Sequence, residues 1–154
     1  MSALKPGDEA PEFALESDSG ETIRLVELRG RKVVLYFYPK DDTPGCTIEA
    51  RGFRDRHPAL EASRVVVLGV SPDGAESHRE FKAKYDLNFP LLADPDHAVA
   101  SAYGVWRKKK LFGKGREGIL RTTFVIDAQG TIEHVFEQVK PEGHADEILD
   151  ALAG

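Results

Sequence analysis

Val33-Val34-Leu35-Tyr36-Phe37-Tyr38-Pro39-Lys40-Asp41-Asp42-Thr43-Pro44-Gly45-Cys46-Thr47 is the stretch on which the reading of this chain turns. The six apolar residues Val33 to Tyr38 are too few for a helix and rich in β-branched and aromatic side chains, so they predict a buried strand that Pro39 ends. Ile48, Glu49, Ala50 and Phe53 then predict a helix with Cys46 in its first turn. The exposed N–H groups and the positive dipole end of such a helix stabilise S⁻ over SH. Cys46 is also the only cysteine in 154 residues, so it has no internal disulfide partner and no second thiolate for a metal site. Position alone leaves two readings, a reactive thiol or a small buried hydrophobe.

Outward from that stretch, composition sets the frame. With 154 residues and 41% hydrophobic content, the chain is expected to form one domain, residues 1–154, whose core needs no disulfide staples. One cysteine, and an opening Met1-Ser2-Ala3-Leu4-Lys5-Pro6-Gly7 without the pattern of a secretory leader, predict a cytoplasmic protein. No run reaches membrane-spanning length. The formal charge of -5 favours solubility and disfavours binding to nucleic acid or an anionic membrane.

Apolar runs alternate with amphipathic ones. Phe13 to Glu16 and Thr22 to Leu25 flank Ser17-Asp18-Ser19-Gly20 as an N-terminal hairpin, and Val65 to Val70 repeats the buried-strand pattern. The Cys46 helix is expected to break or bend near His57-Pro58, where proline removes a donor. A helix from Ala75 to Tyr85 carries Phe81 and Tyr85 on one face, Asn88 to Leu92 is a short edge strand, and Asp94-Pro95 starts a helix through Tyr103. Thr123 to Ile126 and Thr131 to Phe136 flank the turn Asp127-Ala128-Gln129-Gly130, and Ile148, Leu149 and Leu152 mark the apolar face of a last helix.

Strand and helix in this order predict an α/β thioredoxin-like fold, a mixed central sheet flanked by helices with an N-terminal hairpin extension. The pattern Pro39-x-x-x-Thr43-x-x-Cys46 resembles the active site of peroxiredoxins. Thr43-Pro44-Gly45-Cys46-Thr47-x-Glu49 is similar to the bacterioferritin-comigratory-protein or Q-type branch. The resemblance extends through Gly7-Asp8-x-Ala10-Pro11-x-Phe13, Gly104-Val105-Trp106 and Arg121-Thr122-Thr123-Phe124-Val125-Ile126-Asp127. It implies a thiol-dependent peroxidase that reduces hydrogen peroxide and organic hydroperoxides through a Cys46 sulfenic acid, without cofactor or metal.

The resemblance also assigns roles. Cys46 is the nucleophile, Thr43 bonds the sulfur or the peroxide, Gly45 and Cys46 offer backbone N–H groups, and Pro39 shields the thiolate. Arg121 stabilises thiolate and transition state, and Glu49 holds the arginine. The chemistry needs such helpers: an ordinary thiol, with a pKa near 8.5, is only about 3% ionised at neutral pH, and negative charge builds on the leaving oxygen. Taken singly, Pro39 is a strand stop, Thr43 a turn residue, Glu49 a first-turn carboxylate and Arg121 a strand-edge charge.

One departure stands out. Positions where the branch carries a resolving cysteine hold Arg51 and Lys82 here, so an intramolecular disulfide is excluded and the cycle is completed by an external thiol, or by Cys46 of another subunit if two such sites can meet. Thioredoxin, glutaredoxin and a low-molecular-weight thiol remain open as that reductant, and a monomer is expected. His57, His78, His97, His134 and His144 show no metal spacing. Arg107 to Lys110, Lys114 and Arg116 predict a solvated basic loop, and Gly113-Lys114-Gly115 lacks full phosphate-loop spacing. Two other classes stay on the table: a thioredoxin-like binding module with an inert cysteine, and a cysteine hydrolase pairing Cys46 with a histidine.

Overall fold

A computed structural model of the chain describes residues 4–111 and 114–153, with backbone alone over 108–111 and 114–117. The expectations resting on residues 1–3 and on Gly113 lie outside the described residues. The elements run β1 (Ala14–Glu16), β2 (Thr22–Arg24), β3 (Lys32–Phe37), α1 (Pro44–Ala62), β4 (Val65–Ser71), α2 (Ala75–Tyr85) and β5 (Leu91–Ala93). They continue with α3 (Ala98–Ala102), β6 (Trp106–Leu111), β7 (Lys114–Ile119), β8 (Thr122–Ile126), β9 (Ile132–Glu137) and α4 (His144–Ala153). Five strands form a mixed sheet in the order β5-β4-β3-β8-β9. β3 is parallel to β4 and antiparallel to β8, which places it at the centre, buried on both faces as its unbroken apolar run requires.

Alternation along β3 divides the core. Val33, Leu35 and Phe37 face a layer built with Phe13, Tyr103, Phe124 and Ile126, whereas Val34, Tyr36 and Tyr38 face α1, α2 and α4 through Phe53, Phe81 and Ile148. Tyr36 lies against Gly69 of β4, where an added Cβ would meet its Oη at 2.9 Å, so only glycine admits the ring there. β5 is the sheet edge. The N-terminal hairpin β1-β2 guards it, with Ser17 bridging Leu92 and Asp18 exchanging bonds with Leu91 through the Leu91 carbonyl and N–H.

Three expectations change. α1 runs unbroken through Pro58. The carbonyl of Arg54, which proline deprives of its intrahelical donor, accepts instead from Asn88 Nδ2 at 3.2 Å, so the lost bond is replaced from outside the helix. α3 begins only at Ala98, because Asp94 turns its buried carboxylate onto the N–H groups of Val99 and Ala100 rather than entering the helix. The basic segment is not a loop: β6 and β7 pair antiparallel from Trp106↔Ile119 to Leu111↔Lys114. Its unbroken charges carry no period-2 pattern, so the strand signal was absent from the sequence.

Candidate active site

Cys46 sits where strand and helix meet. Thr43 is the N-cap of α1 with extended backbone, Pro44 opens the helix, and the first backbone bond into it runs from Thr47 N–H to Thr43 O at 2.8 Å. The N–H groups of Gly45 and Cys46 precede that bond and therefore remain first-turn donors. Cys46 is 1% exposed.

Arg121 reaches this turn from the strand across the sheet, just ahead of β8. Its Nη2 donates to Cys46 Sγ at 3.0 Å and its Nη1 to Glu49 Oε1 at 2.9 Å. The guanidinium passes directly over Gly45, where a Cβ would lie 2.8 Å from Nη2. Gly45 is thus a clearance, and any side chain there would push Arg121 off the sulfur. A permanent cation 3.0 Å from sulfur stabilises negative charge on it, and its remaining donors suit an oxygen arriving beside the sulfur.

Glu49 is buried, and burial pushes its carboxyl from 4.5 up to about 7 against the opposing pull of Arg121. Arg121 favours the ionised carboxylate and burial opposes it, so any charge on Glu49 is held there at a cost. Its second oxygen, Oε2, has no hydrogen-bond partner among the described residues, and neither has Tyr36 Oη. Burial, with the Glu49 charge adding to it, drives the Tyr36 phenol well above its ordinary range, so it stays protonated.

Thr43 lies in the same turn with its hydroxyl proton committed: Oγ1 donates to Lys40 O at 2.9 Å. What remains is acceptor capacity, suited to a peroxide O–H. Pro39 follows β3, half-buried, on the loop that leads to Thr43. The structure therefore brings Cys46, Arg121, Glu49 and Gly45 into direct apposition, with Thr43 and Pro39 on the adjoining loop. Beside this turn, Pro141 approaches Gly45 and forms one wall of a cavity of about 350 Å³ along α1, with Ile48, Arg51 and Gly52 on the other.

Two residues escaped the sequence reading. Asp41 and His78 are buried and bonded to each other at 2.7 Å beneath the loop. A signal did exist, since His78, Phe81 and Tyr85 recur at helical spacing and predict that the histidine faces inward. Lys82 pairs with buried Asp18 at 3.0 Å, and Arg51 is exposed on α1. Among the described residues no group of three or more His, Cys, Asp and Glu could hold a metal, and no helix is long and apolar enough to cross a membrane.

A model of the AhpC/TSA family matches residues 6–135. Peroxiredoxin Bcp of Bacillus subtilis is 47% identical over 149 residues, covering 97% of this chain and 95% of the relative. The chain is a peroxiredoxin of the AhpC/TSA family. Peroxiredoxin Bcp of Escherichia coli K12 is likewise 47% identical to this peroxiredoxin, over 152 residues, covering 99% of this chain and 97% of the other. Among solved structures, a cysteine-to-serine mutant of Xylella fastidiosa PrxQ superposes with a TM-score of 0.93 at 35% identity, covering 99% and 98% of the two chains. The bacterioferritin comigratory protein of Xanthomonas campestris, solved as trapped-intermediate and ligand complexes bearing on its alkyl peroxide reduction, gives a TM-score of 0.90 at 36% identity over 98% and 96%. The expected thioredoxin-like fold and thiol-dependent peroxidase activity agree with these relatives.

Proposed function

We propose that this peroxiredoxin reduces hydrogen peroxide and alkyl hydroperoxides by a one-cysteine cycle at Cys46. The observation that carries the proposal is the Arg121 Nη2 contact with Cys46 Sγ at 3.0 Å, which couples a permanent cation to the sole thiol in the chain. The Cys46 thiolate attacks one peroxide oxygen, the O–O bond breaks, and the sulfur is oxidised to a sulfenic acid while the departing alkoxide takes a proton and leaves as alcohol or water. In this reading Arg121 and the N–H groups of Gly45 and Cys46 hold the oxygens, Thr43 Oγ1 accepts the peroxide O–H, Pro39 keeps water from the sulfur, and Glu49 keeps Arg121 in place.

An external thiol then condenses with the sulfenic acid, releasing water and leaving a mixed disulfide, and a second thiol frees Cys46. At 1% exposure the sulfur must be uncovered by opening of the first turn of α1 before that thiol reaches it. Thioredoxin, glutaredoxin and a small thiol are all chemically competent. The dependence on reduced thiols supports a cytoplasmic setting. Because Cys46, Arg121 and Glu49 come from one chain, the reading is of a monomer, with residues 1–154 as one domain. No imidazole bonds Cys46 among the described residues, which weighs against a hydrolase. The test is to mix reduced protein with one equivalent of hydrogen peroxide: the wild type should lose its free thiol rapidly and gain one oxygen in mass, and Cys46→Ser should consume no peroxide while melting like the wild type. Turnover by Cys46→Ser would overturn the assignment.

A further inference from the structure

Two histidines are fully buried, and their surroundings differ in kind. His144 has Nδ1 2.8 Å from Glu147 Oε1 and Nε2 2.8 Å from Thr123 Oγ1. A neutral ring that donates to the carboxylate and accepts from the hydroxyl satisfies both. His78 has no such donor beside it. Its Nδ1 lies 2.7 Å from Asp41 Oδ2 and its Nε2 2.8 Å from the Leu92 carbonyl oxygen. A carboxylate and a carbonyl only accept, so the ring bridges two acceptors, and its bond to the Asp41 carboxylate is made away from water. Buried pairs of this kind are often replaceable by apolar residues without loss of stability, so a pair at this place calls for another purpose.

The position of Asp41 supplies one. It stands midway between Pro39 and Thr43 on the loop that enters α1. Its carboxylate receives Tyr38 Oη at 2.6 Å, Ser77 Oγ at 2.8 Å and His78 Nδ1 at 2.7 Å, and its own N–H donates to Asp73 Oδ2 at 2.7 Å. The next residue, Asp42, is in the left-handed region at φ 57, and Lys84 Nζ and Tyr85 Oη hold its carboxylate at 2.8 and 2.7 Å. α2 therefore grips the loop from both ends, with Ser77 and His78 on Asp41 and Lys84 and Tyr85 on Asp42. Thr43 follows the same loop through its bond to Lys40 O.

We propose that Asp41 and His78 are positioning residues for peroxide reduction: their bond fixes the loop 40–43 against α2, and through it the Thr43 hydroxyl and the helical turn that carries Cys46. The proposal rests on the reading of Cys46 as the sulfur that meets peroxide. Displacements of about 1 Å in such a scaffold are enough to cost up to about 10²-fold in rate.

Two amide substitutions separate positioning from space-filling. His78→Asn keeps an N–H donor close to where Nδ1 stands and so keeps its hold on Asp41. His78→Gln reaches instead toward the Leu92 carbonyl and leaves Asp41 with Tyr38 and Ser77 as its only side-chain donors among those described. Both lose the ring, and asparagine leaves the larger void, so a merely structural role would make His78→Asn the worse variant. The measurement is the second-order rate of Cys46 oxidation by hydrogen peroxide, alongside a thermal melt of each protein. His78→Asn should stay within about threefold of the wild type, and His78→Gln should be slower by about tenfold or more. Equal rates for the two, or a faster His78→Gln, overturn the proposal. If either variant is unfolded at the assay temperature, Ser77→Ala decides, because it deletes one donor to the same carboxylate oxygen: a fall of about threefold or more supports the proposal and a wild-type rate overturns it. Failure of the wild type to consume peroxide would remove the reading of Cys46 itself, whereas normal consumption without a difference between variants removes only this inference.

Discussion

The two faces of the central sheet are built from the same strand by different rules. On the face of Val33, Leu35 and Phe37, the layer is apolar but for Asp94, whose buried carboxylate is met by the N–H groups of Val99 and Ala100, with Phe124 packed edge-on to Phe37 at 6.0 Å and against Tyr103 at 5.1 Å. Tyr103, its one phenol, is satisfied by donating to Pro11 O at 2.6 Å. On the face of Val34, Tyr36 and Tyr38, the packing is interrupted by Cys46, Glu49, Asp41, His78 and His144, and two buried polar atoms have no partner among the described residues. One face is arranged to be stable. The other accepts desolvated charge to hold a sulfur beside a guanidinium, and the difference marks where chemistry was placed.

Substitutions that act on one face and spare the other would break or sharpen this contrast. The largest effect on stability is expected from Phe124→Ala, which empties an aromatic site that is 2% exposed. The cost is about 3–5 kcal/mol. The oxidation rate of the protein that remains folded should be unchanged, so denaturant titration and peroxide kinetics should disagree about this variant. A large fall in the rate per folded molecule would show that the two faces are coupled.

Arg121→Ala should do the reverse. Cys46 oxidation is expected to slow by about 10²–10³, the usual weight of one charge-stabilising donor, while the melting temperature falls less at about pH 6 than at about pH 8, because Glu49, buried without its cation, can take up a proton. Near-wild-type kinetics would return Arg121 to a strand-edge charge.

The smallest effect is a change of slope. Glu49 has its carboxyl raised to about 7 from 4.5, so the folded protein keeps a proton that the unfolded chain has already released. The contribution of this group to stability is then greatest below about pH 4.5, falls as the pH rises toward about 7, and is level above. Glu49→Gln should flatten the melting-temperature profile between about pH 4.5 and about pH 7. If the slope survives, another titrating group on the polar face is its source.

Much of the scaffold was legible because it is written in local periods. The run Val33 to Tyr38, the helix following Pro44 and the strand runs of β8 and β9 each carry a pattern shorter than a dozen residues, and each appears where the pattern puts it. The failures also have local causes. Pro58 reads as a break, yet the helix continues because Asn88, thirty positions away, supplies the donor. The charged hairpin β6-β7 has no apolar alternation to reveal it.

The sequence by itself determined that this chain has one thiol, that the thiol lies at the start of a helix following a buried strand, and that no second cysteine of the same chain can resolve it. It also carried the motif by which the family is recognised. Only the tertiary structure decided that Arg121 reaches Cys46 across 75 positions, that Glu49 is buried beside it, and that Asp41 and His78 lock the loop between them. The physical reason is that a periodic pattern encodes which face of an element turns inward, whereas the partner met on that face depends on strand register and helix packing. Those are set by the whole chain closing on itself.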